Sequence, residues 1–185
     1  MKLVVGLGNP GRRYEGTRHN VGFAVLGELA RKFGTTPVKA KFHGEIVEAD
    51  IEGQKTLLLT PLTFMNRSGI SVQEAKSFYK LCDEDLLVVS DDINLPVAKL
   101  RFRLKGSSGG QKGLEDIIGR LGTEEFARLR IGIGPPPEGW DWADWVLSKF
   151  TKEEIADMEE AVWKAADAVA FWAREGTEAC MNRYN

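Results

Sequence analysis

The chain has 185 residues, of which 43% are hydrophobic and 28% charged, a balance that fits one globular domain with a substantial core. Apolar runs such as Leu86 to Val89 are too short to cross a bilayer, and Gly6 breaks the start Met1-Lys2-Leu3-Val4-Val5 before it reaches the length of a secretory signal, so a cytoplasmic protein without a membrane role is expected. A net charge of −2 gives no global sign of a nucleic-acid partner, and Cys82 and Cys180, far apart and without Cys/His spacing, argue against a zinc site or a disulfide framework.

In chain order, the run Leu3 to Leu7 reads as a strand that feeds the turn Gly8-Asn9-Pro10-Gly11. Val25, Leu26, Leu29 and Phe33 stand at helical spacing within Val21 to Phe33, with Gly34 as the cap. Ile46 to Ile51 and Lys55 to Thr60 form a predicted hairpin across Gly53, and Gly69 to Tyr79 a helix entered through Asn66-Arg67-Ser68. The strand Leu86 to Ser90 delivers Asp91 and Asp92. Leu100, Phe102 and Leu104 alternate with Arg101, Arg103 and Lys105, the period of a half-buried strand with a basic outer face. The flexible loop Gly106 to Gly110 opens a helix over Gln111 to Leu121, and Leu129, Ile131 and Ile133 mark a last strand before Gly134-Pro135-Pro136-Pro137. A long amphipathic helix is predicted over Lys152 to Arg174. Strands separated by helices indicate a single α/β domain over residues 1–185, with a twisted mixed sheet flanked by helices because one strand pair is a hairpin.

Open α/β sheets bind ligands beyond the C-terminal ends of their strands. Three such loops carry Asn9 and His19, Asn66, and Asp91. A histidine acting as a base near neutral pH must be His19 or His43, the only two in the chain, and His19 is the better placed. Asp91 could fix its tautomer, and the asparagine amides could orient a carbonyl, although capping and turn roles fit each residue alone. Charge is also local. Lys99 to Arg130 holds eight basic residues against four acidic ones, whereas Glu138 to Glu160 is acidic, so one face is suited to phosphate.

Taken together, Val5-Gly6-Leu7-Gly8-Asn9-Pro10-Gly11 with Tyr14, and Thr17-Arg18-His19-Asn20-Val21-Gly22-Phe23, resemble the N-terminal signature of the bacterial peptidyl-tRNA hydrolase family. Thr63 to Gly69, Asp91 to Pro96, Gly109 to Leu114 and Arg128 to Gly134 are similar to its later motifs, in the same order. The resemblance implies hydrolysis of the ester between a peptide and the 3′ ribose of tRNA, by a monomer that uses neither metal nor cofactor. It makes His19 the general base on water, Asp91 its orienting partner, Asn9 and Asn66 the groups that position peptide and carbonyl, and Tyr14, Met65 and Lys112 further substrate contacts. Arg103 and Arg130 align with a clamp on the 5′ phosphate of the acceptor stem, while Arg101 reads equally well as a solvated charge.

The departures fall in two stretches. The family usually has histidine and asparagine where this chain has Gln111 and Lys112, and Gly-His-Gly where it has Ser107-Ser108-Gly109. Ser90 and Asn94 also replace residues that are often histidine and aspartate. That asparagine is functional in the family, and lysine donates hydrogen bonds but cannot accept them. Two other readings compete. Gly6, Gly8 and Gly11 form the glycine pattern of dinucleotide-binding folds, but Pro10 and the polar stretch to Thr17 should prevent a helix from starting there. A non-catalytic RNA-binding relative is the second alternative, disfavoured by the presence of His19, Asp91 and both asparagines.

Overall fold

Alternation in β1 (Lys2–Gly6) sets the centre of the sheet: Val4 faces one apolar layer and Leu3 and Val5 the other, all without solvent exposure. The computed structural model describes residues 1–185, and its one sheet comprises β2 (Lys39–Lys41), β3 (Gly44–Ile51), β4 (Gln54–Pro61), β5 (Leu86–Asp92), β6 (Leu100–Arg103) and β7 (Ala127–Gly132) besides β1. The order across it is β2-β3-β4-β1-β5-β7-β6. β4, β1, β5 and β7 are parallel, and β3 and β6 pair antiparallel to β4 and β7, as the predicted mixed sheet requires. α1 (Val21–Phe33) and α5 (Lys152–Tyr184) cover one face, with Val25, Leu29, Val169 and Trp172 packed on Val4, Leu87 and Leu129. α2 (Ser68–Phe78) and α3 (Lys112–Leu121) cover the other through Val72, Leu114 and Ile117.

The chain leaves β1 toward β4 on one side and later returns to β5 on the other. That reversal opens a crevice beyond the C-terminal ends of β1, β4 and β5. Its floor is tight because Gly22, in the first turn of α1, lies directly on the strand ends. A Cβ there would stand 2.5 Å from Leu7 N and 2.7 Å from Val89 O. The predicted hairpin at Gly53 forms, with Glu52 and Gly53 at φ 51° and 87°, the two positive angles of a tight two-residue turn.

Several boundaries differ from the sequence reading. The strand expected to reach Lys105 stops at Arg103, the last residue paired with β7, and Leu104 is exposed. β7 begins at Ala127, two residues earlier than its apolar pattern suggests, because Arg128 is buried among carbonyl acceptors. α5 passes Arg174 and bends at Gly176 (φ 80°), which returns Cys180 to the core. Gly34 ends α1 in an extended conformation (φ −62°), so its cap is not left-handed. The exposed three-residue β2 and the five-residue α4 (Trp142–Val146) carry too little periodicity to be read in advance. No helix is long and apolar enough to cross a membrane. No helix starts inside the Gly6-to-Gly11 segment: a 3-10 turn spans Arg12–Tyr14 and α1 begins at Val21, which removes the dinucleotide-binding reading.

Candidate active site

Five short segments meet over the crevice and enclose a cleft of about 830 Å³. The loop after β1 brings Asn9 and the 3-10 turn Arg18–Asn20 brings His19. β5 brings Asp91, the 3-10 turn Met65–Arg67 brings Met65 and Asn66, and the start of α3 brings Gln111 and Lys112. α4 closes the cleft with an apolar wall of Trp142, Ala143, Val146 and Leu147. His43, the other histidine, lies outside it in the β2–β3 turn, largely exposed and 3.4 Å from Glu74.

His19 and Asp91 are in contact. Nδ1 of the imidazole lies 2.8 Å from Asp91 Oδ2, with both residues buried. A carboxylate only accepts, so Nδ1 carries the hydrogen and Nε2 of the neutral ring is left with its lone pair. Gln111 Nε2 donates to the second oxygen, Asp91 Oδ1, at 3.1 Å. Sequence reading passed over this residue except as a departure from the family pattern.

Asn9 is fixed through both its side chain and its backbone. Asn9 Oδ1 accepts from Met65 N at 2.7 Å, so its Nδ2 is the amide atom left to donate elsewhere. The Asn9 backbone is fixed from both sides by Asn20, which accepts from Asn9 N (2.8 Å) and donates to Asn9 O (2.9 Å). Asn20 therefore belongs to the site as a positioning group, which the segment Thr17 to Phe23 contained but did not single out. Asn66 is exposed on the cleft wall. It follows Phe64, whose φ of 63° is costly for a residue with a Cβ and turns the chain into the 65–67 turn. Tyr14 does not line the cleft; its ring stands edge-on to Phe64, which does.

Antiparallel pairing sets Arg101 opposite Arg130 and Arg103 opposite Arg128, so four guanidinium groups share the α3 side of the sheet edge. They are not equivalent. Arg128 is buried and donates to the carbonyls of Gly106 (2.5 Å), Ser107 (2.9 Å) and Glu124 (3.0 Å). Burial lowers its pKa, and the neighbouring Arg130 adds to the effect. Arg130 reaches the cleft paired to Asp92, whereas Arg101 stands opposite it on β6 and Arg103 one pair further along the edge, and neither lines the cleft. Lys112 is exposed at the rim, 3.0 Å from Glu115. No three His, Cys, Asp or Glu side chains are grouped as metal ligands would be.

A histidine held by a buried carboxylate, amide donors beside it and an arginine edge near an apolar wall are the features of an acyl-ester hydrolase with an anionic substrate. The comparisons with known proteins agree. The family model described as peptidyl-tRNA hydrolase matches residues 3–185. The chain is 55% identical to the peptidyl-tRNA hydrolase of Rhodopirellula baltica, covering 100% of this chain and 97% of that one. It is 48% identical to that of Lachnospira eligens, with full coverage of both. The crystal structure of peptidyl-tRNA hydrolase from Acinetobacter baumannii superimposes with a TM-score of 0.93 at 37% identity, over 100% of this chain and 94% of that one. On sequence and fold together, the chain belongs to the peptidyl-tRNA hydrolase family.

Proposed function

We propose that this protein hydrolyses the ester that joins a peptide to the 3′ ribose of tRNA, acting as a cytoplasmic monomer. The observation that carries the reading is the His19–Asp91 contact of 2.8 Å on the cleft floor, flanked by Asn9 and Asn66. His19 Nε2 takes a proton from water, and the water oxygen attacks the ester carbonyl carbon. Negative charge then develops on the carbonyl oxygen, within reach of the preplaced Asn9 amide and of the Asn66 amide on the cleft wall. The imidazolium, held by Asp91, returns its proton to the ribose oxygen as the carbon–oxygen bond breaks, so that peptide acid and free tRNA leave. Met65 and the α4 wall form the apolar lining for the peptide, Tyr14 supports that lining through Phe64, and Arg103 and Arg130 meet tRNA phosphate.

The test is turnover of N-acyl-aminoacyl-tRNA by the purified protein. His19→Ala should lower kcat by about 100- to 10,000-fold while tRNA affinity is retained, as expected when a general base is removed. Asp91→Asn should give a large fall in kcat, because an amide keeps a contact with the imidazole without stabilising its charged form. Activity of His19→Ala within a few-fold of the parent would end the mechanism, and tRNA binding without turnover by the parent would leave an RNA-binding protein.

A further inference from the structure

Asp91 is almost without solvent contact (4% exposed), so both oxygens of its carboxylate need partners inside the protein. His19 supplies one. The other is Gln111, which stands at the N-cap of α3 and uses both ends of its amide. Gln111 Oε1 accepts from Leu114 N at 2.8 Å. A backbone N–H can only donate, so the amide oxygen must face the helix, and the NH₂ is thereby committed to Asp91 Oδ1 and, at 3.1 Å, to Met65 Sδ. The helix thus orients the amide and the amide orients the carboxylate.

We infer that Gln111 is a positioning residue for the hydrolysis, holding Asp91 so that Oδ2 faces His19 Nδ1. The inference rests on the proposed roles of His19 and Asp91. A donor on Oδ1 removes rotation of the carboxylate about its own axis. It is also a hydrogen bond to the carboxylate that faces the imidazole, of the stronger kind that orients such a group. The same amide touches Met65, whose N–H fixes Asn9, so one side chain links the acid–base pair to the amide that faces the substrate. Lys112, next in the chain, makes none of these contacts and pairs with Glu115 at the surface.

Two substitutions separate this role from helix capping. Gln111→Ser keeps a good N-cap residue but is too short to reach Asp91. Gln111→Glu keeps an oxygen for Leu114 N and sets a second carboxylate against Asp91 Oδ1. Asp91 is the charged group that His19 meets on the cleft floor, and the adjacent Arg18 guanidinium is turned to Glu154, so the added charge is sensed at His19 through Asp91. Turnover of N-acyl-aminoacyl-tRNA, measured across pH, should show kcat of Gln111→Ser reduced by about tenfold or more, the cost expected for losing a hydrogen bond to a charged group, with KM and Tm retained. Gln111→Glu should move the low-pH limb of kcat/KM upward by about one unit or more, because the added carboxylate favours protonation of the pair. A Gln111→Ser enzyme with parental kcat overturns the inference, as does a loss that only follows Tm with the limb of Gln111→Glu unmoved. In either case an inactive His19→Ala variant would leave the proposed function intact, whereas an active one would remove the reading on which the inference depends.

Discussion

Replacing Glu154 by glutamine tests how the turn that carries His19 is held. The Arg18 guanidinium is one of the most deeply buried charges in the protein. It donates to Glu154 through Nη1 (3.2 Å) and Nη2 (2.7 Å), to Ile133 O (3.3 Å) and to Ser148 Oγ (3.2 Å), and it lies 3.7 Å over the ring of Trp145. Its side chain is 1% exposed against 22% for Glu154. Breaking a buried ion pair by removing one partner costs roughly 3–5 kcal/mol. Glutamine keeps one oxygen for an Arg18 N–H or for the Thr151 N–H that Glu154 now caps (2.8 Å), and water can reach the partly exposed end. A loss of about 2–3 kcal/mol is therefore expected, a fall in Tm of about 5–10 °C for a chain of this length. The pH dependence carries its own sign. Burial alone would raise the Glu154 pKa, but hydrogen bonds from Arg18 and Thr151 outweigh it and hold the carboxyl below its usual range. The stabilisation is thus complete above the ordinary glutamate pKa and is lost as pH falls through the lowered native value, so the gap between parent and variant should narrow below about pH 4. Thermal melts of both proteins at neutral and acid pH make the comparison. A variant within about a degree of the parent at neutral pH, or a gap that does not change in acid, would refute the reasoning.

Other outcomes follow from the same geometry. Arg103→Ala and Arg130→Ala should each flatten the slope of log affinity for tRNA against log salt by about one unit if each meets one phosphate, with a substrate lacking the acceptor stem unaffected; unchanged slopes would move the clamp to Arg101. Lys112→Ala should raise KM in a salt-dependent way with kcat retained, because the lysine stands exposed at the rim and its pair with Glu115 contributes little to stability; parental kinetics at all salt concentrations would make it a surface residue. Gly22→Ala should destabilise the fold by about 3 kcal/mol and slow turnover, since the added methyl meets backbone atoms of β5 and the end of β1 rather than side chains that can move; a Tm equal to the parent's would show that α1 shifts freely.

The sequence alone indicated the kind of fold, because short apolar runs such as Leu86 to Val89 alternate along the chain with stretches at helical spacing such as Val25, Leu26 and Leu29. It also indicated which loops carry polar groups, and the resemblance in its motifs assigned His19, Asp91, Asn9 and Asn66 their parts. Elements that depend on distant partners were not legible. β2 has no buried residue of its own, α4 is one turn held by its Asp141 cap and by Trp145 against Gly134 O, and Arg128 looks like a surface charge until the 106–107 loop folds over it. The contacts within the site depend on tertiary structure in the same way. The partners His19 and Asp91 are 72 residues apart, Asn9 and Met65 56, and Gln111 and Asp91 20. Only the sheet, by ending β1, β4 and β5 at one crevice, sets a hydrogen-bond donor within 3.1 Å of each oxygen of the Asp91 carboxylate, and chain order holds no record of that distance.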